Sequence, residues 1–402
     1  MTLSEQSGPL SAAVAPSLLR EMNQRLLLDR LFAEGPAIRP QLARATGLSL
    51  PTVIAAVAGL ERAGLVRAAG RLELPHGRPA ETYEADPTSG TVAGVDIGHD
   101  WLRLLITDLA GNRLTRLDVR NTASNARSVV ELVRTAVSEA SAQAEIEPSA
   151  ITHTVIGSPG VYDPRTRRIQ YAANLRGWQR AGLTEALTES LGIGLTIDND
   201  ANLAALAEHT YGTARHIDNF VYVMIGTGVG LGLVLDGRLY RGARGAAGEA
   251  GYLPFGHSIQ PARPGQIPRG MLEENLAADA VVRYAREAGM PAPLTAEEVF
   301  AAADQGVPAA LTALRQEADR LAQLTATVLA LFDPELIVFG GGIGQNLGVL
   351  ESETRAALKR YTPMTPKFAL GELGREAVVL GAIARGTNIA REQVFKERIE
   401  RV

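Results

Sequence analysis

The chain of 402 residues contains no cysteine. That excludes disulfide bonds and any zinc site built on thiolates. Lysine is nearly absent too: three residues (359, 367 and 396) out of a combined Lys and Arg count of 40, so arginine carries the positive charge. The first residues lack a basic stretch followed by an apolar core, so no secretory leader is expected. The longest apolar run, LAQLTATVLALFDPELIVFGG, is interrupted by Asp333–Pro334 and falls short of a clean membrane span. Overall basicity is missing as well, the formal net charge being −4. What remains is the expectation of a cytoplasmic globular protein, with 46% hydrophobic and 21% charged residues. Its length suggests two or three domains.

The charge is unevenly spread. Between Ala37 and Ala80 six arginines (39, 44, 62, 67, 71, 78) face two acids, Glu61 and Glu73, a local balance of +4. A small basic module on an acidic body suits a DNA-binding regulator, although a solvated face would give the same count. Residues 1–17 are small and polar and read as a disordered tail. Residues 18–86 read as a winged helix-turn-helix and 87–90 as a linker.

Within the module, Leu18–Glu34 carries apolar residues at helical spacing (Leu19, Met22, Leu26, Leu27, Leu31), and Pro40–Thr46 is a short helix stopped by Gly47. Ser49 then has the chemistry of an N-cap, with Pro51 in the first turn where a missing N–H costs little. The third helix runs to about Ala63 and buries Val53, Val57 and Leu60. AGLVRAAGRLELPHGRPAETYEAD follows as strand, turn and strand, a wing. In such a module the start of the third helix enters the major groove, and Ser49, Pro51 and Thr52 are placed to meet DNA there. The exposed middle of that helix is expected to offer Ala55 and Ala56. They can touch thymine methyls but cannot make bidentate base contacts. Arg78, between Gly77 and Pro79, suits a narrow A·T-rich minor groove. A three-helix module that binds protein would show a similar core.

From Thr91 strands alternate with helices. TVAGVDIG and WLRLLITDLAGNRLTRLDV form a strand followed by a hairpin, and NFVYVMIGTGVGLGLVLDGRLY repeats the plan. The repetition predicts an α/β region of two related lobes: 91–203, with a C-terminal helix 386–402 returning to it, and 204–385. The second lobe is assigned the ligand cleft and the oligomerisation surface. Asp200 ends a strand and could hydrogen-bond a sugar hydroxyl or accept its proton. Asn199 adds a donor and an acceptor, and Glu249 and Glu273 are further acceptors of the kind that orient a polyol. Gly226–Thr227–Gly228 with Gly230 would let backbone N–H groups converge on a phosphate, or would simply supply a hairpin needing positive φ. Gly341, in Gly340–Gly341–Gly342 after an apolar strand, permits close approach of a nucleotide.

Taken together these segments resemble the ROK family, named for repressors, open reading frames and sugar kinases. The resemblance runs from about Leu18 to Arg385 and rests most on NDANLAALAE, GTGVGLG, RGARGAAGEAG and FDPELIVFGGG. It implies an actin-like (ribonuclease H-like) sugar kinase fold with sugar in the cleft. Asn199, Asp200, Glu249 and Glu273 would be its ligands and Asn174 would lie close by. In a kinase of this family Asp200 would be the catalytic base. The helix-turn-helix places the chain with the regulator branch. Two departures stand out. Family kinases carry Asp-x-Gly-Gly-Thr in the first phosphate loop, and this chain reads Asp96–Ile97–Gly98–His99–Asp100. Asp100 would repel a triphosphate, and phosphoryl transfer depends on charge stabilisation. The family's zinc site needs a histidine and three cysteines, whereas this chain has Tyr252 in the histidine's place and no cysteine. Tyr252 is therefore expected to contact a sugar hydroxyl, no metal cofactor is expected, and His257 alone is not a site.

The resulting expectation is a regulator without enzymatic activity, most simply a repressor. It would act as a homodimer or dimer of dimers on a double-stranded DNA operator, under the control of a sugar effector. The alternatives are a sugar kinase that has kept a DNA module and a regulator controlled by a protein partner.

Overall fold

The computed structural model describes residues 16–73, 78–163, 165–172, 178, 180–256, 269–291 and 295–400. The chain divides into two units: Met1–Gly90 with Asp108–Ala110 and Ala390–Val402, and Thr91–Thr107 with Gly111–Ile389.

In the first unit the order is α1 (Pro16–Glu34), β1 (Ala37–Ile38), α2 (Arg39–Thr46), α3 (Leu50–Arg62), β2 (Val66–Leu72) and β3 (Ala80–Ala85). The strands pair antiparallel in the order β1-β3-β2. This is the winged helix-turn-helix arrangement. Short-range chemistry sets its boundaries. Gly47 ends α2 at φ 71°, returning its N–H to the Ala43 carbonyl at 2.9 Å. Ser49 caps α3, accepting the Thr52 N–H at 3.3 Å. Leu27, Leu28, Leu31, Leu42, Val53, Val57 and Leu60 make the core. Leu19, Met22 and Leu26, part of the helical pattern of α1, are instead 48%, 57% and 44% exposed. The face that packs is the one carrying Gln24, Leu27, Leu28 and Leu31. Residues 87–90 are not a simple linker either: Pro87–Ser89 is a turn of 3-10 helix capped by Asp86, and Ser89 is buried.

The final helix, Ala377–Ile399, begins earlier than the expected 386. Its residues from Ala390 belong to this first unit rather than to a lobe of the second. Arg398 donates to the Gly64 carbonyl at 2.8 Å and the Ser89 carbonyl at 2.6 Å, and the Arg391 guanidinium sits 3.8 Å from the Phe32 ring centre.

The second unit contains two five-stranded sheets. The first is built from β4 (Thr91–Ile97), β5 (Trp101–Asp108), β6 (Arg113–Arg120), β7 (His153–Ser158) and β10 (Gly194–Asn199), in the order β10-β7-β4-β5-β6. Helices α4 (Ala126–Gln143) and α5 (Leu183–Leu191) and the small hairpin of β8 (Val161–Asp163) and β9 (Arg168–Gln170) accompany it. After α6 (Asp200–Thr210) the second sheet uses β11 (Phe220–Ile225), β12 (Val229–Leu235), β13 (Arg238–Tyr240), β14 (Leu336–Gly340) and β15 (Phe368–Leu370), in the order β13-β12-β11-β14-β15. Its helices are α7 (Met271–Leu276), α8 (Ala278–Glu287), α9 (Ala296–Asp304), α10 (Pro308–Phe332), the short α11 (Gly341–Gly344) and α12 (Leu347–Leu358); α13 is the final helix.

Each sheet has three consecutive antiparallel strands with two more added in parallel, so the repetition seen in the sequence is a repetition of topology. The central strand β4 is buried along nearly its whole length, as parallel strands covered on both faces are. Glycine lets α13 lie against this sheet: a Cβ on Gly157 would stand 2.5 Å from Val378 Cγ1, and one on Gly94 would stand 2.9 Å from the Val379 carbonyl. Among the described residues no single helix is long and apolar enough to cross a membrane.

Candidate functional sites

The strand β10 ends at Asn199 and α6 starts at Asp200. Asn199 Oδ1 caps the helix, accepting the Asn202 N–H at 3.0 Å, while its Nδ2 donates to the Gly160 carbonyl at 3.1 Å. The helix lies close on β12 because Gly230 faces it: a Cβ there would be 3.1 Å from Ala201 Cβ. Asp200 Oδ1 accepts the Ala201 N–H at 2.8 Å. Burial nevertheless pushes the Asp200 carboxyl up to about 7, against the pull of that N–H and with the help of the Asp96 and Glu273 charges.

Glu249 answers to the same neighbourhood. Burial, followed by the charges of Asp200 and Glu273, pushes its carboxyl up to about 8. Tyr252 is pushed up to about 12 by burial and then by Glu249 and Glu273. Glu273, in the first turn of α7, accepts the Val229 N–H at 3.2 Å and Arg269 Nε at 2.7 Å. Arg269 also donates to the Thr227 carbonyl at 2.8 Å, tying the glycine hairpin to this acid. The structure thus gathers Asp200, Glu249, Tyr252 and Glu273 into one electrostatic cluster. At neutral pH the Asp200 and Glu249 carboxyls mix protonated and ionised forms, so they can both donate to and accept from hydroxyls.

Tyr171 completes this wall and was not legible in the sequence. Its ring meets Tyr252 edge to face at 5.5 Å, and the two side chains are 40% and 38% exposed. Tyr171 holds a left-handed φ of 62°, unusual for an aromatic residue. Paired exposed rings of this kind offer an apolar platform beside the polar cluster. Asn174 and His257 lie outside the described residues.

Next to the cluster, between the two sheets, is a cavity of about 630 Å³ whose lining includes Asp96, Gly98, His99, Asp100, Asp200, Gly226, Thr227 and Gly341. Asp96 pairs with Arg103 Nη1 at 3.0 Å; burial pushes its carboxyl up to about 6 while Arg103 pulls the other way. His99 Nδ1 and Asp100 Oδ1 are 2.9 Å apart in an exposed pair. Asp96, Asp100, Asp200, Asp279 and Glu297 make five acids in the lining, against two arginines, Arg103 and Arg375. Two of the amides expected to meet phosphate are engaged: Gly98 N–H with the Trp101 carbonyl and Gly226 N–H with the Gly228 carbonyl, both at 2.9 Å. Gly226, Gly228 and Gly230 are not among the left-handed residues, so the positive-φ explanation for these glycines does not hold. Gly341 does need glycine: its φ is 77°, and a Cβ would stand 2.3 Å from the Ile225 carbonyl.

Among the described residues no group of three His, Asp or Glu could hold a metal ion. With Tyr252 in the cluster and no cysteine in the chain, the residues present do not fit the zinc site implied by the family resemblance.

On the first unit, Pro51 and Ala55 are exposed at the start of α3 and Thr52 is half-buried. Ser49 and Thr52 share a hydroxyl contact of 2.8 Å. Ala56, expected on the exposed face, is 3% exposed and belongs to the core. The apolar face beside Ala55 is formed instead by Leu50 and Ile54, each 44% exposed. Arg39 stacks 4.5 Å from the Tyr83 ring centre and Arg67 Nε donates to Glu84 at 2.8 Å, so these two are committed inside the module. Arg71 and Arg78 on the wing have no partner among the described residues, and Arg78 is exposed. Gly77 lies outside the described residues.

Two related sheets meeting at a cleft define the second unit as an actin-like, ribonuclease H-like domain of the sugar kinase type. Residues 92–386 match the ROK family, and the chain belongs to it. A curated xylose repressor from Caldicellulosiruptor bescii is 23% identical over 386 residues, covering 92% of this chain and 96% of the relative. A glucokinase from Thermotoga maritima is 31% identical over 260 residues, covering 61% of this chain and 79% of the relative. Among solved structures, a ROK family transcriptional regulator described as a homologue of the E. coli Mlc protein superposes with a TM-score of 0.77. It is 21% identical, with 95% of this chain and 99% of that one covered.

Proposed function

We propose that this protein is a sugar-responsive transcriptional repressor that binds DNA through its winged helix-turn-helix and a sugar through the Asp200 cluster. One observation carries the reading. The chain keeps a polyol-ready cluster of Asp200, Glu249, Glu273 and Tyr252, while the neighbouring cavity, where a kinase would hold nucleotide, has an acidic lining and engaged loop amides. The near full-length match to a xylose repressor supports it. On this reading Ser49, Pro51, Thr52, Ala55 and the wing residue Arg78 face a double-stranded operator, and the chain acts as a homodimer or dimer of dimers. Asn199 orients the start of α6, with Asn174 beside the sugar. The sugar acts by binding one conformation more tightly than another; couplings of this kind amount to about 1–3 kcal/mol.

Fluorescence anisotropy on DNA from upstream of the protein's own gene tests this, with D-xylose, D-glucose and other sugars added in turn. One sugar is expected to release the DNA, and Asp200→Asn is expected to bind DNA without responding to that sugar. Equal release in the variant, or no specific DNA binding at low salt, overturns the proposal.

A second reading has one observation in its favour. A carboxyl near pH 7, as Asp200 is, suits a general base, and a sugar kinase would use it so. Sugar-dependent ADP release that disappears in Asp200→Ala would establish that activity.

A further inference from the structure

A second cavity, of about 820 Å³, borders the edge strand β10 and the segment Arg241–Gly245. Its lining carries Arg165, Arg167, Arg241, Arg244 and Arg385 against Asp163 and Asp198, five positive groups to two negative. The neighbouring cleft cavity has the opposite balance, five acids to two arginines.

Arg167 pairs with Glu185, just outside the lining, at 2.9 Å, and the other four guanidiniums are left with the two lining acids. Asp198, 8% exposed, is shared by two guanidiniums: its Oδ2 accepts Arg241 Nη2 at 2.8 Å and also pairs with Arg385. One carboxylate between two cations leaves a unit of positive charge in a partly buried place, and burial pulls both guanidiniums below their ordinary value. Arg241 Nε is buried and has no acceptor among the described residues. Asp163 is held by the Arg165 N–H at 2.9 Å, and the Arg165 guanidinium comes no nearer to it than 3.9 Å. Arg244 is exposed at the rim, with no partner among the described residues. Cations held together in reduced solvent repel one another and lack hydration, a cost that an anionic ligand removes. The planar guanidinium fork matches the oxygens of phosphate and carboxylate in pairs, which makes Arg the residue for such ligands.

We propose that this cavity is a second effector site, taking a small multivalent oxyanion such as a phosphorylated or polycarboxylated metabolite. The proposal rests on the cavity itself and stands apart from the repressor reading. It adds to that reading a route by which metabolic state reaches the sugar cluster. Asn199 lines this cavity and caps α6, whose first residue is Asp200. The site has room for a ligand of metabolite size, since small-molecule pockets typically span roughly 300–1,000 Å³.

Isothermal titration calorimetry of the full chain at low salt, with inorganic pyrophosphate, glucose 6-phosphate and citrate as probes and D-glucose as the uncharged control, tests it. At least one anion is expected to bind at about 1 mM or tighter and to weaken as salt is added. Preference for the phosphorylated probes or for citrate identifies the phosphoester or the carboxylate as the natural chemistry. The double variant R165A/R244A removes two exposed side chains and should bind at least about tenfold more weakly, roughly 1.4 kcal/mol, with its thermal midpoint unchanged. Asp200→Asn should leave anion binding intact. No binding by any probe at low ionic strength, equal binding in the double variant, or loss of anion binding in Asp200→Asn overturns the proposal.

Discussion

Replacing Asp200 by asparagine keeps the side-chain shape and the oxygen that accepts the Ala201 N–H at 2.8 Å, while removing the titration. In the folded chain this carboxyl is pushed from 3.8 to about 7. The folded state therefore holds a proton that the unfolded state has released, and this group's contribution to stability falls as pH rises. It is fully present below about pH 4, is lost progressively up to about pH 7, and is absent above that. A displacement of about three units, at roughly 1.4 kcal/mol each, sets an upper figure of about 4 kcal/mol. About 1.5 kcal/mol of it has gone by pH 5, which leaves about 2–3 kcal/mol between pH 5 and pH 8. Asp200→Asn should therefore gain about 2–3 kcal/mol on the native protein across that interval, somewhat less where cleft water screens the carboxylate. Urea unfolding followed by tryptophan fluorescence at pH 5, 6.5 and 8 measures it. Both tryptophans of the chain, Trp101 and Trp178, belong to the second unit, so the signal reports the right part of the protein. An offset between variant and native protein that is constant, or that shrinks as pH rises, refutes the reasoning.

The remaining predictions concern the first unit. Ser49→Ala removes the cap of α3 and should cost about 0.5–2 kcal/mol in stability, seen as a lower unfolding midpoint; an unchanged midpoint would show that the cap is not used. Arg78→Ala should weaken operator binding and reduce the slope of log affinity against log salt by about one unit. An unchanged slope in anisotropy titrations would remove Arg78 from the DNA contact.

Features decided within a few residues were legible in the sequence. Ser49 with Pro51, Gly47, the strand-glycine-strand repeats and the placement of Asp200 at a strand end all depend on local backbone chemistry. Features decided by a partner far away were not. Whether Ala55 or Ala56 turns inward depends on a helix phase set by the packing of α3, and the pattern Leu19, Met22, Leu26 cannot say which face meets that core. Arg103 pairs with Asp96 across a hairpin, and Tyr171 meets Tyr252 from 81 positions away with a backbone conformation no propensity would suggest. The arginine cavity draws on five separate stretches of chain between Val161 and Arg385. The glycines of the loop expected to cradle a phosphate, Gly226, Gly228 and Gly230, turned out to lack a left-handed backbone.

Asp198, Asn199 and Asp200 are consecutive, yet each serves a different client: an arginine-lined cavity, a helix cap and the buried carboxyl cluster. Inserting or deleting one residue in β10 would turn Asp198 away from its arginines, because neighbouring strand residues face opposite sides, and would shift the cap and the acid that follow it. Evolution can therefore retune this region only from elsewhere. The exposed aromatic pair Tyr171 and Tyr252 is free of such triple duty. In relatives that respond to different ligands, those two positions are where the change in diet should be written, with the triplet left untouched.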